Sequence, residues 1–386
     1  MAERGHAITW WAGAFDHLKK KMIFERDTTI HWRENVSIVA LKGIGYRDNV
    51  SLRRYLDHRL MAWKFRKRIR NMPIPDAIVA SIPCHLMAYE AAEYAKERGI
   101  PFLVDIRDPW PDIFIDRVPG PLKGIARRIL SWDYRASRKA IQQADAIVSM
   151  MEVLMDWGLR CAGRERVDSD RVFFLGSANP GEVSGSSPAM EETLKRIRGK
   201  FVVAFVGTMA YYHNPSVIVE GARIAKGEKE IVFVIAGDGI LFEEVRRKAA
   251  DLNNVIFPGW LDNNDIHALL MNSHIGVCPT PFVANFFPNK VFLYLSMGLP
   301  VLSAFEGDLK GILYNDRIGF YFPPNDADTF AERVFRLYRE PVLYKEISGN
   351  VKRVFSSKFD SRIIYKGYAD LIERVCSDHK NKHGAL

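Results

Sequence analysis

The sequence predicts an α/β protein built from two doubly wound domains, and three observations support this class. Short apolar runs rich in β-branched residues alternate with helix-length patterns, which is typical of parallel sheets with crossover helices. A stretch rich in Gly, Ser and Pro, residues 176–199, separates two such series. The chain of 386 residues is too long for one core of ordinary size, so two domains of about 150 to 200 residues are expected.

The strands can be assigned in chain order. The first series contains predicted strands at residues 6–11, 36–41, 76–81, 101–106, 145–150 and 171–176. The second series contains predicted strands at residues 201–207, 230–237, 254–259, 274–279, 300–305 and 318–322. Ligands of open α/β sheets bind beyond the carboxyl ends of the strands, so we expect the two domains to face each other across a cleft.

These series also set the expected domain boundaries. They predict a first domain over residues 1–178, a linker over residues 179–199 and a second domain over residues 200–359. Residues 360–386 begin with a further helical pattern, which either caps the second domain or crosses back to the first.

The positive charge of the chain is unevenly distributed. Residues 1–150 hold 26 Lys and Arg against 17 Asp and Glu, whereas the remainder holds 29 of each, so the net charge of +9 lies in the first part. The stretch from Arg53 to Arg70 predicts a helix in which Leu56, Leu60, Trp63 and Phe65 alternate with basic residues. Such a helix is suited to an anionic membrane surface, and a solvated helix packed on a sheet is the alternative. No nucleic-acid-binding motif accompanies the charge, so nucleic acid is not an expected partner.

Cysteine usage and hydropathy bear on the cellular compartment. The chain has four widely spaced cysteines, Cys84, Cys161, Cys278 and Cys376, which favour neither a disulfide framework nor a zinc site. No apolar run reaches the roughly 20 residues that span a bilayer, and the N-terminus lacks a secretory apolar region. We therefore expect a cytoplasmic protein, either soluble or peripheral on the inner face of the membrane.

Four strand-end motifs of the second series follow one another in a recognisable order. They are FVGTMAYYHNP at residues 205–215, VIAGDG at 234–239, VIFPGWLDNNDIHALLMNSHIGVCPTPF at 255–282 and NKVFLYLSMGLPVLS at 289–303. Together they resemble the nucleotide-sugar-binding half of retaining GT-B glycosyltransferases of the large glycosyltransferase family 4, which includes sucrose synthases and bacterial polysaccharide enzymes. The resemblance covers nearly all of residues 201–375.

The first series supports the same family with three further segments. These are RGHAITWW at residues 4–11, FLVDIRDPWPDIF at 102–114 and DWGLRCAGRERVDSDRVFFLG at 156–176. The resemblance implies a GT-B fold of two Rossmann-like domains. It also implies transfer of a sugar, with retention, from a nucleotide sugar to a hydroxyl of a lipid-linked or cell-surface saccharide. The family's first strand and its glycine-containing acceptor loop are expected to precede RGHAITWW.

Lys290 is the principal donor-side candidate for catalysis. Breaking the bond between the sugar and a diphosphate places negative charge on the leaving phosphate, which fixed positive groups stabilise. Lys290, next to Asn289, lies at the predicted start of a helix, where a cation and the helix N-terminus together favour an anion. A solvated lysine at a helix start is the alternative.

Two glycine-containing turns follow the first two strands of the second series. Gly207 permits close backbone approach to a diphosphate and Thr208 offers a hydroxyl, while a simple turn explains Gly207 equally well. By resemblance, the turn of Gly237, Asp238 and Gly239 borders the nucleotide, and a plain tight turn is again the alternative.

The resemblance places three further residues at the donor. Trp260 corresponds to a position that borders the base, where its indole would stack, unless it is a core tryptophan. Family members carry two glutamates eight positions apart, which align here with Asn285 and Leu293. Neither residue is acidic, and Leu293 cannot accept the hydrogen bonds that the second carboxylate typically receives from the ribose.

Asp108 is the acceptor-side candidate, since a carboxylate at a strand's carboxyl end can reach the attacking hydroxyl as a base. Arg107 accompanies it in the catalytic prediction, at the position where many family members have histidine. Asp105 is instead expected to be structural, pairing with Arg107. If the leaving phosphate takes the acceptor proton, as the resemblance allows, Asp108 orients the acceptor.

No metal and no cofactor are expected beyond the nucleotide sugar, which we expect to be UDP-linked. The resemblance implies a fold that works without bound metal. His6, His17, His85 and His213 have no mutual ligand spacing and are interpreted as ordinary surface or packing residues.

Two other functional classes remain open. The loss of both family glutamates fits a non-catalytic GT-B pseudoenzyme or a nucleotide-binding partner subunit. A sugar-nucleotide epimerase has the same fold but uses several acidic and histidine residues, in which the relevant motifs of this chain are poor.

Overall fold

The computed structural model describes residues 1–17, 19–48, 51–116, 118–178, 181 and 185–383. The chain divides into two compact units, the first of residues 1–173 with 367–386 and the second of residues 174–366. The first division falls at residue 173 rather than at the expected residue 178. The second falls inside the last helix, whose end is grouped with the first unit.

The elements of the two units are as follows. In the first unit they are β1 (Ile8–Gly13), β2 (Phe15–Asp16), β3 (Lys21–Met22), β4 (Thr28–Arg33), β5 (Val36–Leu41), α1 (Leu52–Ile69), β6 (Ile78–Ile82), α2 (His85–Arg98), β7 (Phe102–Ile106), α3 (Asp112–Ile115), α4 (Lys123–Ile129), α5 (Ser131–Gln142), β8 (Ala146–Ser149), α6 (Glu152–Ala162) and β9 (Arg171–Val172). In the second unit they are α7 (Pro188–Ile197), β10 (Phe201–Val206), α8 (Ser216–Ile224), β11 (Ile231–Ala236), α9 (Phe242–Lys248), β12 (Val255–Gly259), α10 (Asn263–Met271), β13 (Ile275–Cys278), α11 (Asn289–Ser296), β14 (Val301–Ser303), α12 (Asp308–Asn315), β15 (Gly319–Tyr321), α13 (Ala327–Arg339), α14 (Pro341–Val354) and the start of α15 (Ser361–His383). All the predicted strands are found.

The core of the first unit is the parallel sheet β6-β7-β8-β9. Every residue of β7 is buried, because strands flank it on both sides and helices cover it, which explains its continuous apolar run. The end of α15 contributes Leu371 and Val375 to a buried cluster with Leu103 and Val148. Burying such side chains contributes about 1.5 to 3 kcal/mol each, so the last helix is part of this core.

A second sheet of the first unit, β1-β5-β4, contains a strand that the sequence did not predict. β5 pairs in parallel with β1 and antiparallel with β4, and β2 and β3 form a further small hairpin. β4 has the sequence TTIHWR and is mostly exposed, because it is an edge strand. Because β4 is mostly polar, it contains no apolar run that would predict a strand.

The second unit is a six-stranded parallel sheet in the order β12-β11-β10-β13-β14-β15. The order reverses between β10 and β13, which are neighbours in the sheet but not in the sequence. Such a switch point leaves a crevice at the carboxyl ends of the two strands, where ligands of doubly wound folds bind.

The segment expected to be a linker contains a helix. α7 occupies residues 188–197 of it, with Ser187 as its N-cap and Met190 and Ile197 buried. Ser187 also bonds the Asp265 carboxylate through its backbone N–H and its hydroxyl, at 2.8 and 2.7 Å. Met190 and Ile197 are about two helical turns apart and therefore lie on the same face of α7, a pattern that the Gly, Ser and Pro composition of the segment does not indicate.

Candidate functional site

Lys290 lies at the start of α11, at the carboxyl edge of the second unit's sheet. Its ammonium nitrogen is buried and has no hydrogen-bond partner among the described residues. The nitrogen lies 4.0 Å from the centroid of the Phe205 ring, a cation–π contact that offsets part of its desolvation. Burial lowers the pKa of Lys290 to about 8. The predicted alternative of a solvated lysine is therefore wrong.

The start of α11 adds further positive potential. Its N-cap is Pro288, and no side chain caps the helix, so the backbone N–H groups of the first turn lack a side-chain acceptor. Asn289 is the first helical residue and is exposed. An ammonium and an uncapped helix N-terminus at one place form a site suited to an anion.

The position of Lys290 depends on Tyr294, one turn further along α11. The paired positions of β10 and β13 end at Ala204 and Gly276. Beyond them, the fully buried Tyr294 hydroxyl accepts a hydrogen bond from the N–H of Val206 at 3.0 Å and donates to the carbonyl of Val277 at 3.3 Å. Tyr294 thus bridges the two strands at the switch point and anchors α11 beneath it.

Two other residues lie close to the Lys290 side chain. A Cβ atom at Gly207 would lie only 2.9 Å from the Lys290 nitrogen, so glycine allows this approach. His213 has a buried Nδ1 atom without a hydrogen-bond partner. Burial, and then the charge of Lys290, lower the pKa of His213 to about 4. The sequence interpretation treated His213 as an ordinary residue, because nothing in its local sequence indicates that the Lys290 charge acts on it.

The predicted glycine turns hold the neighbouring loops together. The N–H of Gly207 bonds the carbonyl of Ala236 at 3.0 Å, and that of Gly237 bonds the carbonyl of Gly259 at 2.7 Å. A Cβ atom at Gly237 would lie 2.0 Å from the Gly207 carbonyl oxygen, and one at Gly239 would lie 2.3 Å from that of Met209. Gly237 and Gly239 are therefore needed for the packing of these loops, in agreement with the alternative interpretation of this segment as a tight turn.

The other predicted site residues of these two loops, Thr208 and Asp238, are exposed. Thr208 is exposed beside Gly207, and the Asp238 carboxylate accepts a hydrogen bond from the N–H of Gly239 at 2.7 Å. Trp260 is 74% exposed, so the alternative of a core tryptophan is wrong. It follows β12, the edge strand separated from β10 by β11.

The two positions that lack the family glutamates differ in environment. Asn285 is exposed, and Leu293 is half-buried on α11. A carboxylate that the sequence interpretation missed lies in the loop beside Asn285, since the N–H of Glu306 bonds the Ala284 carbonyl at 2.9 Å. Lys310 and Tyr321 hold the Glu306 carboxylate at 2.9 and 2.6 Å. The Tyr321 hydroxyl, followed by Lys310, lowers the pKa of Glu306.

In the first unit, Arg107 is engaged by Asp105. Its Nε and Nη2 atoms donate to the two oxygens of the buried Asp105 carboxylate at 2.9 and 2.7 Å. This ion pair is the structural role that the sequence left open for Asp105.

Asp108 lies near a group of polar and aromatic side chains. Burial raises its pKa, and the positive charge of Arg54 opposes that shift. The Arg54 guanidinium lies 5.5 Å from the ring of the buried Trp110, and the His58 and His85 rings lie 5.8 and 5.4 Å from it. Arg54 and His58 come from α1, and no local motif connects them to the strand that Asp108 follows.

His85 is a buried histidine of this group. Its Nε2 atom hydrogen-bonds the buried Asp133 carboxylate at 2.8 Å, and that carboxylate also accepts from the Tyr55 hydroxyl at 3.2 Å. This is a packing role, as the sequence interpretation proposed.

A pocket of about 580 Å³ opens next to this group. Tyr46 lines it, and the Lys20 and Arg54 cations lie 5.0 and 5.4 Å from the Tyr46 ring. Arg47 and Arg53 line the same pocket, which is therefore predominantly cationic.

No group of three or more His, Cys, Asp or Glu side chains in the described ranges could hold a metal ion. None of the helices in the described part of the chain has the length and apolarity needed to cross a bilayer.

Comparison with known proteins yields a family match over part of the chain and a fold. Residues 200–340 match the family described as glycosyl transferases group 1. The chain is 26% identical over 170 residues to the O-antigen chain mannosyltransferase C of Escherichia coli. This aligned region covers 43% of this chain and 45% of the relative. It is 29% identical over 181 residues to the Escherichia coli UDP-Gal:alpha-D-GlcNAc-diphosphoundecaprenol alpha-1,3-galactosyltransferase, covering 45% of this chain and 44% of the relative. The matches thus span less than half the length of both relatives.

Among solved structures, HepE of Anabaena in complex with UDP superposes with a TM-score of 0.63 at 15% identity, covering 88% of this chain and 86% of HepE. The predicted two-domain GT-B fold is confirmed. The predicted resemblance to glycosyltransferases with this fold is also confirmed.

Proposed function

Because the chain has the GT-B fold and residues 200–340 belong to the glycosyl transferases group 1 family, we propose that this protein is a glycosyltransferase. It moves a sugar from a nucleotide-sugar donor to a hydroxyl of a lipid-linked or cell-surface saccharide, with retention of configuration at the anomeric carbon. The names of the two Escherichia coli relatives support the acceptor class, since one acts in O-antigen chains and the other on a diphosphoundecaprenol-linked sugar.

The observation that carries this proposal is the unpartnered ammonium of Lys290. A buried charged group without a partner is unfavourable, and such groups are retained where a ligand completes them. A nucleoside diphosphate supplies a matching charge, and the start of α11 supplies N–H donors for its oxygens. The UDP bound to HepE supports a UDP-linked donor.

The same arrangement suits the chemical step. As the bond from the anomeric carbon to the diphosphate breaks, negative charge grows on the leaving oxygen, and Lys290 stabilises it. In a retaining reaction the leaving phosphate takes the proton of the acceptor hydroxyl on the same face of the sugar. Charge stabilisation then comes from the protein itself, and we propose that no metal is required.

On the acceptor side, Asp108 orients the attacking hydroxyl or removes its proton. Its raised pKa increases its basicity, which favours proton transfer, while the Arg54 charge helps to keep it ionised. The cationic pocket beside Tyr46 suits the phosphates of a lipid-linked acceptor.

The donor assignment is tested by calorimetric titration of UDP, GDP and the UDP- and GDP-linked hexoses into wild type, Lys290→Ala and a control. Removing one such positive group should weaken nucleotide binding and lower transfer by about 10²- to 10³-fold. Lys195→Ala, which alters an exposed lysine of the same unit, should bind and react like wild type. Nucleotide binding that survives Lys290→Ala unchanged would refute the donor site.

A nucleotide-binding pseudoenzyme is the second candidate, supported by the apolar Leu293 where the family has a carboxylate. A pseudoenzyme would bind the nucleotide without transferring the sugar to any acceptor.

The variant Leu293→Glu tests the position of the ribose. If the ribose lies beside residue 293, the added carboxylate should strengthen nucleotide binding. If affinity stays unchanged, the ribose is held elsewhere and the alignment at residue 293 is wrong.

We further propose that the first unit docks on an anionic membrane surface, on the inner face of the cell membrane. In α1, Phe65 packs in the core, so the helix buries part of its apolar side as the solvated alternative requires. Leu52, Leu56 and Trp63, spaced along one face, are nevertheless 73, 48 and 51% exposed. Arg59 connects this face to the start of α5, where its guanidinium lies 5.3 Å from the Trp132 ring.

The segment leading to Trp132 has a similar character. Helix α4 has no buried residue, and Leu122, Ile125 and Ile129 are 50, 61 and 75% exposed. The helix carries three basic residues and no acidic one. Exposed apolar side chains among basic groups are typical of surfaces that insert into an anionic lipid interface.

Vesicle sedimentation tests this surface. Wild type should bind vesicles with anionic lipid more tightly than neutral ones, and the variant Ile125→Asp/Ile129→Asp should lose most of that binding. Ile240→Asp is the control, because it places an aspartate on an 89% exposed isoleucine of the second unit. Equal binding of wild type to both kinds of vesicle would refute the membrane proposal.

A further inference from the structure

An exposed group of aromatic rings lies at the carboxyl edge of the second unit's sheet. This aromatic platform consists of Tyr211, Tyr212, Phe282 and Phe286. The Phe282 ring lies 5.1 Å from Tyr211, stacked, and 5.2 Å from Tyr212, edge-on, and Tyr212 lies 5.8 Å from Phe286. Tyr211, Tyr212 and Phe286 are 69, 42 and 49% exposed, so the rings contact one another without forming a core.

The platform spans both sides of the switch point. Tyr211 and Tyr212 follow β10, whereas Phe282 and Phe286 follow β13. His213, whose Nδ1 atom is unpartnered, comes directly after Tyr212, and Gly207 at the start of the same loop lies against the Lys290 side chain. The platform therefore adjoins the proposed diphosphate site in the second unit.

The chemistry around the rings narrows the class of ligand. The segments 208–215 and 279–288 contain no Asp, Glu, Lys or Arg, and the lowered pKa of His213 keeps its imidazole neutral near pH 7. A surface for phosphates or a charged peptide would carry complementary charge. Flat apolar rings bordered by tyrosine hydroxyls and the exposed Asn285 instead match a pyranose, which has an apolar C–H face and a hydroxyl rim.

We propose that the aromatic platform binds an uncharged pyranose ring by stacking against its C–H face. The proposal rests on the proposed glycosyltransferase function and specifies how that site holds its sugar. The ring belongs either to the donor sugar or to a saccharide acceptor, because both offer the same C–H face to aromatic side chains.

This mode of recognition has a consequence for specificity. A site that hydrogen-bonds a substrate hydroxyl through a buried polar group rejects an analogue without that hydroxyl by about 10⁴-fold or more. A site that uses apolar contacts distinguishes similar substrates by only about 10- to 200-fold. We therefore expect the protein to tolerate deoxy sugars that present the same C–H face.

The experiment compares wild type with Tyr211→Ala, Phe282→Ala and Tyr211→Phe in the full chain. Affinities for UDP, GDP and their hexose conjugates are measured by calorimetry. Binding of methyl α-D-mannopyranoside and methyl α-D-glucopyranoside is measured by saturation-transfer NMR.

If the bound ring is the donor sugar, each alanine variant lowers the affinity for the nucleotide sugars by about 2- to 10-fold, while the free nucleotides bind as before. If it is the acceptor's, only the pyranoside signals fall. Tyr211→Phe, which keeps the ring, should resemble wild type.

The outcomes separate this proposal from the proposed function. Nucleotide and nucleotide-sugar affinities that are equal in all variants, together with unchanged pyranoside signals, would overturn the platform while leaving the donor site intact. Absence of nucleotide binding to wild type would refute the proposed function. In that case pyranoside signals that depend on the rings would support the platform, and signals that do not would overturn it as well. The side chains are exposed or half-buried, so thermal unfolding of the variants should match wild type.

Discussion

The two units place polar side chains at the carboxyl edges of parallel strands, but they satisfy them differently. In the first unit, His85 bonds Asp133 and Arg107 bonds Asp105, so the buried His85, Asp133 and Asp105 side chains find partners within the protein. In the second unit, the Lys290 ammonium and the His213 Nδ1 atom are buried without a hydrogen-bond partner. A buried polar group that is satisfied internally supports the fold, whereas one left unsatisfied lowers stability and marks a place for a ligand.

The largest effect that tests this comparison is expected in the first unit. His85→Ala leaves the buried Asp133 carboxylate with the longer Tyr55 contact, and breaking a buried pair in this way costs about 3 to 5 kcal/mol. The free energy of unfolding, measured with urea, should fall by this amount. His31→Ala, at an exposed histidine that bonds Ser37, should change it by less than about 0.5 kcal/mol. Equal effects at both positions would contradict the internal satisfaction of the His85–Asp133 pair.

The opposite sign is expected at Lys290. Lys290→Met removes an unpartnered buried charge and keeps an apolar chain of similar size, so the ligand-free protein should gain about 1 to 3 kcal/mol of unfolding free energy. Nucleotide binding should be lost in the same variant. The control, Lys200→Met, removes a lysine that pairs with Glu230 at the surface and should leave stability nearly unchanged. A stability loss in Lys290→Met would mean that the ammonium is satisfied in the free protein.

A smaller effect follows from pH. The pKa of Lys290 is about 8 in the folded protein and 10.5 ordinarily, so the unfolded chain binds more protons between these values. Wild-type stability should therefore rise relative to Lys290→Met as the pH increases from about 8 to 10.5, by up to about 1.4 kcal/mol per unit. Nucleotide affinity should fall over the same window, because the deprotonated amine no longer pairs with the diphosphate. Parallel unfolding curves for the two proteins at pH 7.5 and 9.5 would contradict the lowered pKa.

The donor half of the site was accessible from sequence because its residues lie in ordered strand-end motifs. Lys290 and Gly207 were named from their positions at the start of a helix and the end of a strand, and the structure brings them within contact distance. His213 and the aromatic platform were not identified as functional. Their significance depends on two loops that are separated by about seventy residues of sequence and meet only because β10 and β13 are neighbours in the sheet.

The acceptor side shows the same limit more strongly. Asp108 was identified from its motif, but Arg54 and His58 come from a helix that the sequence presented only as basic and amphipathic. The sequence predicted a basic amphipathic helix, either on a membrane surface or packed on a sheet. It could not assign Phe65 to the core and Trp63 to the surface, because that choice depends on which face meets the sheet.

The sequence by itself determined the α/β class, the two strand series and the resemblance to GT-B glycosyltransferases, because apolar periodicity and strand-end glycines are local properties of the chain. Only the tertiary structure decided which polar groups are satisfied. Whether Lys290 is solvated or buried without a partner, and whether Arg107 is free or paired, depends on neighbours that are distant in sequence or on side-chain geometry. Desolvation is set by everything that surrounds a group, and for this reason burial and pKa emerge only once the chain is folded.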